Sequence, residues 1–250
     1  MRASRPAALP ALFTGLSAAV MVACSSGTAT RARSLPTPSK LTGEAGKRAS
    51  TIVSDARAAL LAASSVHVKG AFTHNSTSDQ RLDLQLTRVN GQPAATGTVT
   101  TVTRSGAKSQ TVTLALIRLG GRLYVRGDRA YYARIGPKAA AVAGHWLVLP
   151  IAQDKSVADL TDLATLAAGL ASASSDRVQG VSRIGTHRVV VVAAGAGATL
   201  YVLADGPSRP IRLQRSGASA IAGTIDFSDY NAPLKVAGPA GAIDIAKVRG

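Results

Sequence analysis

Apolar and polar residues alternate along most of the chain. Between residues 81 and 89, Leu82, Leu84 and Leu86 alternate with polar side chains, and Asn90-Gly91 follows directly. An alternation with a period of two is typical of a strand that buries one face, and an Asn-Gly pair favours a tight hairpin turn. This part of the chain is therefore predicted to form an antiparallel meander.

The same alternation recurs about a dozen times, and most of the intervening turns contain glycine. Strands are predicted at residues 66–72, 81–89, 96–104, 110–119, 122–126, 130–135, 145–149, 177–184, 187–194, 199–203, 211–215 and 220–227. One antiparallel sheet of this size cannot remain flat, because each strand is twisted relative to its neighbour. The strands are therefore expected to form a single curled sheet whose apolar face needs a cover.

Three segments have apolar residues at helical spacing instead. Helices are predicted from Thr42 to Ala63, at residues 137–143, and from Ser156 to Ala171, with Ser156 as the cap of the last one. The apolar stripe of this inserted helix includes Leu163, Leu166 and Leu170. Together, the patterns predict an α+β fold: a single curled sheet of about a dozen antiparallel strands with helices covering its concave face.

An apolar stretch near the amino terminus leads to the only cysteine, Cys24. Arg2 and Arg5 precede the stretch, and the residues 21–23 before the cysteine are Met, Val and Ala. A basic start, a short apolar region and small residues at a cleavage site are typical of a secretory signal, and the stretch is too short to predict a membrane-spanning helix. Residues 21–24 resemble the lipobox of bacterial lipoproteins, whose cysteine is lipidated. The alternative is a plain secretory signal with an incidental cysteine.

Three regions are predicted from these features. Residues 1–23 form a lipoprotein signal peptide, residues 24–41 the lipidated cysteine and a disordered tether rich in Ser, Thr and Pro, and residues 42–250 the folded domain. Cleavage removes two arginines, so 27 basic and 13 acidic side chains remain and the formal charge is +14. The mature chain is expected at the extracytoplasmic face of the cell membrane, held by its lipid anchor.

The strong positive charge has three interpretations. Nucleic-acid binding is one, but an export signal and the absence of an aromatic RNA-binding motif argue against it. Attraction to the anionic headgroups of lipids or lipoglycans is the second. The third is a solvated surface without any specific anionic ligand.

The chemistry-bearing residues do not form a recognised catalytic motif. The four histidines lack the spacing of metal ligands, no GxSxG segment is present, and Gly195-Ala196-Gly197 lacks the third glycine of a dinucleotide fingerprint. The protein is therefore expected not to be an enzyme and to need neither a cofactor nor a metal. A hydrolase would require a histidine within hydrogen-bond reach of a serine and an aspartate in one cleft.

Four segments, in their order along the chain, resemble the LppX/LprG type of actinobacterial lipoproteins. They are SSVHVKG at 64–70, WLVLP at 146–150, DLTDL at 159–163 and FSDYNAPLKV at 227–236. The resemblance implies a half-barrel similar to LolA and LolB that holds acyl chains between sheet and helices. It also implies transport of lipids or lipoglycans in the envelope, with an envelope transporter as a possible partner.

On this interpretation an acyl chain would lie between two strand faces and the inserted helix, and the protein would be a monomer. The candidate lining residues are Leu82, Leu84, Leu86, Val112, Leu114, Leu116, Leu163, Leu166 and Leu170. The alternative is a structural or interaction lipoprotein in which these side chains are a solid core. An apolar cavity of several hundred Å³ between sheet and inserted helix would favour the carrier.

The lipobox resemblance generates the first testable prediction. Replacement Cys24→Ala removes the thiol that would be acylated, so the protein should leave the membrane fraction and lose labelling by a fatty-acid probe. Fractionation and probe labelling of the expressing cell measure both. Continued labelling of the Cys24→Ala variant would contradict lipidation at this residue.

Overall fold

The computed structural model describes residues 43–74, 77–170, 175–194, 197–216 and 221–248. The chain divides into two units, 1–41 and 42–250, and all described residues belong to the second. Cys24, the signal peptide and the tether lie outside the described residues, so their roles stay predictions. No helix in the described ranges is both long enough and apolar enough to cross a membrane.

The described residues contain one sheet of 12 strands. The strands are β1 (Ser65–His74), β2 (Ser78–Val89), β3 (Gln92–Ser105), β4 (Lys108–Leu119), β5 (Arg122–Gly127), β6 (Leu147–Pro150), β7 (Arg177–Ile184), β8 (His187–Ala194), β9 (Ala198–Leu203), β10 (Pro210–Arg215), β11 (Ile221–Ser228) and β12 (Ile243–Asp244). Their order is β12-β6-β5-β4-β3-β2-β1-β11-β10-β9-β8-β7, so the sheet is open, with β12 and β7 at its edges. The predicted single sheet of about a dozen strands is confirmed.

The strand pairing is antiparallel except at one edge. The two-residue strand β12 pairs in parallel with Leu147 and Val148 of β6. This pair was not predicted, because a two-residue strand carries no periodicity. It forms where the chain returns from β11 to the edge of the sheet, after which Ile245 and Val248 enter the core with 3 % and 6 % exposure. The carboxyl-terminal segment therefore covers an edge that would otherwise be free to pair.

Five α-helices accompany the sheet in the described ranges. They are α1 (Ala49–Ala62), α2 (Arg129–Ile135), α3 (Pro137–Ala141), α4 (Lys155–Leu160) and α5 (Leu163–Ala168). The first helix starts at Ala49 and not at Thr42, because Gly43–Gly46 forms a separate 3-10 turn and Gly43 has a φ of +63°. Its predicted apolar face is correct: Ile52, Val53 and Leu60 are at most 1 % exposed.

The prediction of a strand at residues 130–135 is wrong, since α2 occupies them. Asp128 caps this helix: its Oδ1 accepts a hydrogen bond of 2.9 Å from the Tyr131 amide. Tyr132 is fully buried, and Ile135 packs against the core. Tyr132 and Ile135 are three residues apart, as expected in a helix, but a segment this short does not distinguish that spacing from the alternation of a strand.

The inserted helix is also corrected, because it consists of two short helices. The chain breaks at Thr161-Asp162 between α4 and α5. Asp154 caps α4 by accepting a bond from the Val157 amide, and Asp162 caps α5 by accepting one from the Ala164 amide. The predicted cap was two residues too late in the chain. Asp162, in the middle of the predicted helix, could have indicated the break, because aspartate is a favoured helix cap.

One face of the sheet, which we call the covered face, packs against α1, α4 and α5. The face opposite is called the outer face. Residues directly across from one another on the covered face are Leu86 of β2 and Ala95 of β3, and then Leu84 and Gly97. These strands and the helices contribute to one apolar core. The curled sheet and its helices thus bury one surface and leave the other polar.

Gly97 provides a test of how closely the strands are packed. Its φ is +149°, and an added Cβ would lie 2.1 Å from the Asp83 carbonyl oxygen. Gly97→Ala should therefore lower the free energy of unfolding by about 2–3 kcal/mol through strain and overpacking. Gly121→Ala is the control, because an added Cβ there meets no atom within 4 Å. Equal stability of the two variants in urea unfolding would contradict this packing.

Candidate functional site

The predicted lining residues of β2 lie on the covered face, as expected. Leu82, Leu84 and Leu86 are at most 4 % exposed. Leu116 of β4 is opposite Gly97, which in turn is opposite Leu84, so these side chains share a face. All four leucines belong to the single core cluster.

The candidate residues of the inserted helices pack against the same cluster. Leu163 and Leu170 are buried in it, and Leu166 is partly buried against it. Of the other two candidates, Val112 is buried at 5 % exposure outside this cluster, and Leu114 is half-buried. The structure thus brings seven of the nine candidates together as touching core side chains. Their role toward a lipid stays a prediction.

A small cavity lies beneath α5 at one end of the covered face. Its volume is about 60 Å³, the space of about two water molecules. It lies among the end of α5, helix α1 and strands β8–β10. Its lining residues are Val53, Gly169, Leu170, Ala194, Ala198, Leu200, Leu213 and Arg215. This volume is well below the several hundred Å³ of a typical ligand pocket.

Arg118 connects the sheet to the helices that cover it. It lies on β4 opposite Ala95 and Leu123, both fully buried, so its side chain extends into the core and is only 8 % exposed. Its Nη1 donates hydrogen bonds to the Ala158 carbonyl at 2.8 Å and to Thr161 Oγ1 at 3.1 Å. Arg118 therefore holds the end of α4 and the break before α5.

The surroundings of Arg118 explain why the helix breaks where it does. The last carbonyls of an α-helix have no partner inside the helix, and a cation stabilises this negative end. Asp162 adds a carboxylate whose Oδ2 is 3.8 Å from Arg118 Nη2. Burial lowers the pKa of Arg118, and Asp162 and Asp159 partly oppose that effect. Arg118 was not among the predicted site residues, although it lies two residues after Leu116 in β4 and therefore on the same face.

A polar cluster on the outer face joins β1, β2 and the end of β11. His67 Nε2 is 2.7 Å from Asp83 Oδ1, and His67 Nδ1 is 3.2 Å from Asp229 Oδ2. The Ser228 hydroxyl is 3.2 Å from both His67 Nδ1 and Asp229 Oδ2. The hydrogen bond from His67 is the main reason why the pKa of Asp83 is lowered.

This cluster meets part of the criterion for a hydrolase, because a histidine lies within reach of a serine and an aspartate. However, both ring nitrogens of His67 already face carboxylates, Asp83 Oδ1 and Asp229 Oδ2. Ser228 has the Asp229 carboxylate as a second acceptor. Neither His67 nor Ser228 lines any of the cavities described in this section or below. The cluster connects β1, β2 and the end of β11 by polar contacts.

The segment FSDYNAPLKV lies at the same junction, where the end of β11 meets the start of β1. Phe227 is buried in the core, and the Tyr230 hydroxyl donates to the Pro210 carbonyl at 2.7 Å. Burial raises the pKa of Tyr230. Asn231 Oδ1 accepts a hydrogen bond from the Ser64 backbone amide, and the Asn231 backbone N–H donates one to the Ser65 carbonyl. This segment therefore fastens the end of β11 to the start of β1.

A second cavity, of about 430 Å³, lies on the outer face over β1–β3 and β11. Charged side chains line it, and several already form ion pairs. Lys69 is 3.3 Å from Asp83, and Arg212 binds Asp226 through two nitrogens. No group of His, Cys, Asp or Glu that could hold a metal ion occurs in the described ranges.

Among the solved structures similar to this chain are two mycobacterial lipoproteins. LprF from Mycobacterium bovis aligns with a TM-score of 0.57 at 17 % identity over 77 % of this chain and 97 % of its own. The lipoprotein LppX from Mycobacterium tuberculosis gives a TM-score of 0.47 at 16 % identity, over 76 % and 98 %. No protein-family model matches the sequence, and no curated protein is significantly similar.

The likeness to LprF defines the class of fold: an open, curled sheet with helices on one face, as in LolA. The resemblance to the LppX/LprG type that the sequence suggested is confirmed at the level of the fold. At 17 % identity the comparison establishes the architecture alone.

Removal of the Arg118 contacts tests its role in holding the cover. Arg118→Met should lower the free energy of unfolding by about 1.5–3 kcal/mol, since it removes charged hydrogen bonds at a buried site. Amide hydrogen exchange should become faster across residues 155–168 and stay unchanged in β8 and β9. Arg183→Met, at an exposed position of β7, is the control. Unchanged exchange in α4 and α5 would show that Arg118 does not hold them.

The pKa of Asp83 predicts a pH dependence. A carboxyl group with a lowered pKa in the folded state binds fewer protons there than in the unfolded chain. The stabilisation by Asp83 is present at pH values above its pKa in the unfolded chain, and it is lost as the pH falls through its pKa in the folded protein. Urea unfolding between about pH 5 and pH 3 should therefore show a shallower loss of stability in Asp83→Asn than in the wild type. Asp205→Asn is the control, and identical slopes in all three proteins would contradict the prediction.

Proposed function

We propose that this protein is an envelope lipoprotein that binds an acyl chain of a lipid or lipoglycan beneath α5, on the covered face. The cavity among Val53, Leu200 and Leu213 is the point of entry, and Arg215 lies at the same site. The guanidinium would meet an anionic headgroup while the chain extends along the apolar side chains. On this proposal the domain carries or presents lipid and does not catalyse a reaction.

The observation that supports the proposal is the construction of the cover. Two of the helices over the sheet, α4 and α5, have only six residues each. Arg118 bonds to the end of α4 and to Thr161, whereas α5 contributes Leu163, Leu166 and Ala167 to apolar packing. Such packing has no directional requirement, and an acyl chain can replace it. The cover can therefore move at α5 while α4 stays attached.

The magnitudes are compatible with such a movement. Each methylene removed from water contributes about 0.8 kcal/mol. The side chains of α5 that leave the sheet would pack on the bound chain, so most of their burial is retained. Even if the Arg118 bonds were lost, about two to four buried methylenes would offset the cost of about 1.5–3 kcal/mol.

The second candidate is a structural or interaction lipoprotein with a solid core. The observation that favours it is the cavity volume of about 60 Å³, which holds no acyl chain without movement of α5. On this alternative the seven touching candidates are ordinary core residues, and the protein acts only through its surface.

Filling the small cavity distinguishes the two candidates. Ala198 is 7 % exposed and lines the cavity, so Ala198→Leu would occupy the space that a chain needs for entry. We expect the mature chain with Cys24→Ala to bind a fluorescent fatty acid, and the added Ala198→Leu to weaken binding at least about tenfold, or about 1.4 kcal/mol. Because the new side chain fills empty space, the melting temperature should not fall.

The matched control is Ala115→Leu, half-buried on the outer face of β4. It should leave fatty-acid affinity unchanged. A parent protein that binds no fatty acid, or an Ala198→Leu variant that binds as well as the parent, would contradict the proposal. The first of these outcomes would support the solid-core alternative.

A further inference from the structure

The outer face carries a large groove that acyl-chain binding does not use. Its volume is about 900 Å³, within the range of small-molecule sites. The floor is formed by the end of β4 and by β5 and β6, and one wall is the chain segment that returns to the sheet edge. The lining residues are Leu119, Gly121, Arg122, Tyr124, Val148, Leu149, Pro150, Pro239, Gly241, Ala242 and Asp244. We propose that this groove is a binding site for a neutral saccharide.

The sequence places the groove residues on one face by strand register. Tyr124 pairs with Ile117 on one side and with Val148 on the other, and Arg122 pairs with Leu119 and Pro150. Residues 122 and 124 are two apart in β5, so their side chains lie on the same face. That face is opposite to Leu123, which is fully buried in the core. The groove and the acyl site are thus on different sides of the sheet.

The wall of the groove is fixed by close packing and by the edge strand. Gly238 lies against Tyr124, where an added Cβ would be 3.1 Å from the phenol oxygen. The Ile243 amide donates a hydrogen bond of 2.8 Å to the Trp146 carbonyl, and Asp244 Oδ1 accepts one from the Ala246 amide. The segment is therefore held against the sheet at Gly238 and again at residues 243–246.

The lining selects among classes of ligand. The guanidinium of Arg122 only donates hydrogen bonds, whereas the carboxylate of Asp244 only accepts them. A hydroxyl group does both, so a polyol can bind both side chains. An anion would be repelled by Asp244 and a cation by Arg122. An acyl chain could bind neither.

The apolar part of the lining fits the apolar face of a sugar ring. Tyr124, Pro150 and Pro239 present ring surfaces in the groove, and the C–H face of a pyranose is apolar. An apolar wall with a few fixed polar groups is the usual construction of a small-molecule site. A neutral pyranose or furanose unit therefore fits the groove in both its polar and its apolar requirements.

The test uses the mature chain with Cys24→Ala and a panel of neutral trisaccharides of glucose, mannose, galactose and arabinose. Titration and saturation-transfer NMR should detect binding of at least one of them. Tyr124→Leu, Arg122→Gln and Asp244→Asn should each weaken it about three- to tenfold, as expected for loss of one contact. Asp244→Asn keeps an acceptor for the Ala246 amide, so the wall should remain folded.

Tyr201→Leu and Arg183→Gln are the matched controls. Tyr201 lies on the same face of the sheet in β9, and Arg183 is exposed on β7. Both should leave binding unchanged, as should Ala198→Leu, so failure of the groove and failure of the acyl site can be distinguished. Binding of no trisaccharide, or binding that persists when the three groove changes are combined, would overturn the proposal.

An alkyl glycoside of the same sugar separates a free glycan from a glycolipid headgroup. Equal weakening of the free and the alkylated sugar by the groove variants would support recognition of the saccharide itself, from either source. Binding of the alkyl glycoside alone, with sensitivity to Ala198→Leu and none to Tyr124→Leu, would overturn the proposal.

Discussion

The structure depends on a single constraint: a sheet of 12 strands has one continuous apolar face, and little helix is available to cover it. The longest of the described helices, α1, has 14 residues, and the other pieces that pack into this core come from α2 to α5 and the carboxyl-terminal turn. Burial of apolar surface is the dominant favourable term in folding. The cover is therefore assembled from short pieces, and each needs its own connection to the sheet. Arg118 supplies that connection for α4, and Ile245 and Val248 supply it for the chain end.

This construction gives the two faces of the sheet different properties. On the covered face, short helices pack against the strands mainly through apolar side chains. On the outer face, His67, Asp83 and Asp229 fasten neighbouring strands and the end of β11 by polar contacts. These contacts on the outer face do not involve the helices of the cover. The acyl-chain binding proposed above would require α5 to move while the sheet stays intact.

The sequence predicted the sheet well because alternation is a direct consequence of burying one face. It placed Leu82, Leu84 and Leu86 correctly for that reason. It failed where local pattern and tertiary contact disagree. Residues 130–135 form a helix because Asp128 caps them and Tyr132 is buried at helical spacing, and the segment is too short for its period to be read. The inserted helix breaks at Thr161 because Arg118, some forty residues earlier in the chain, binds there. The cavity volumes and the groove beside Tyr124 depend on packing between segments that are distant in the chain, so no local sequence pattern predicts them.

The central claim is that the covered face accepts an acyl chain when α5 moves. Native mass spectrometry of the non-acylated mature chain, purified from a host that supplies envelope lipids, tests it most directly. We expect a mass increment of one acyl lipid that organic extraction removes. A protein that is free of lipid as purified, and that stays free after incubation with lipid vesicles, would contradict it.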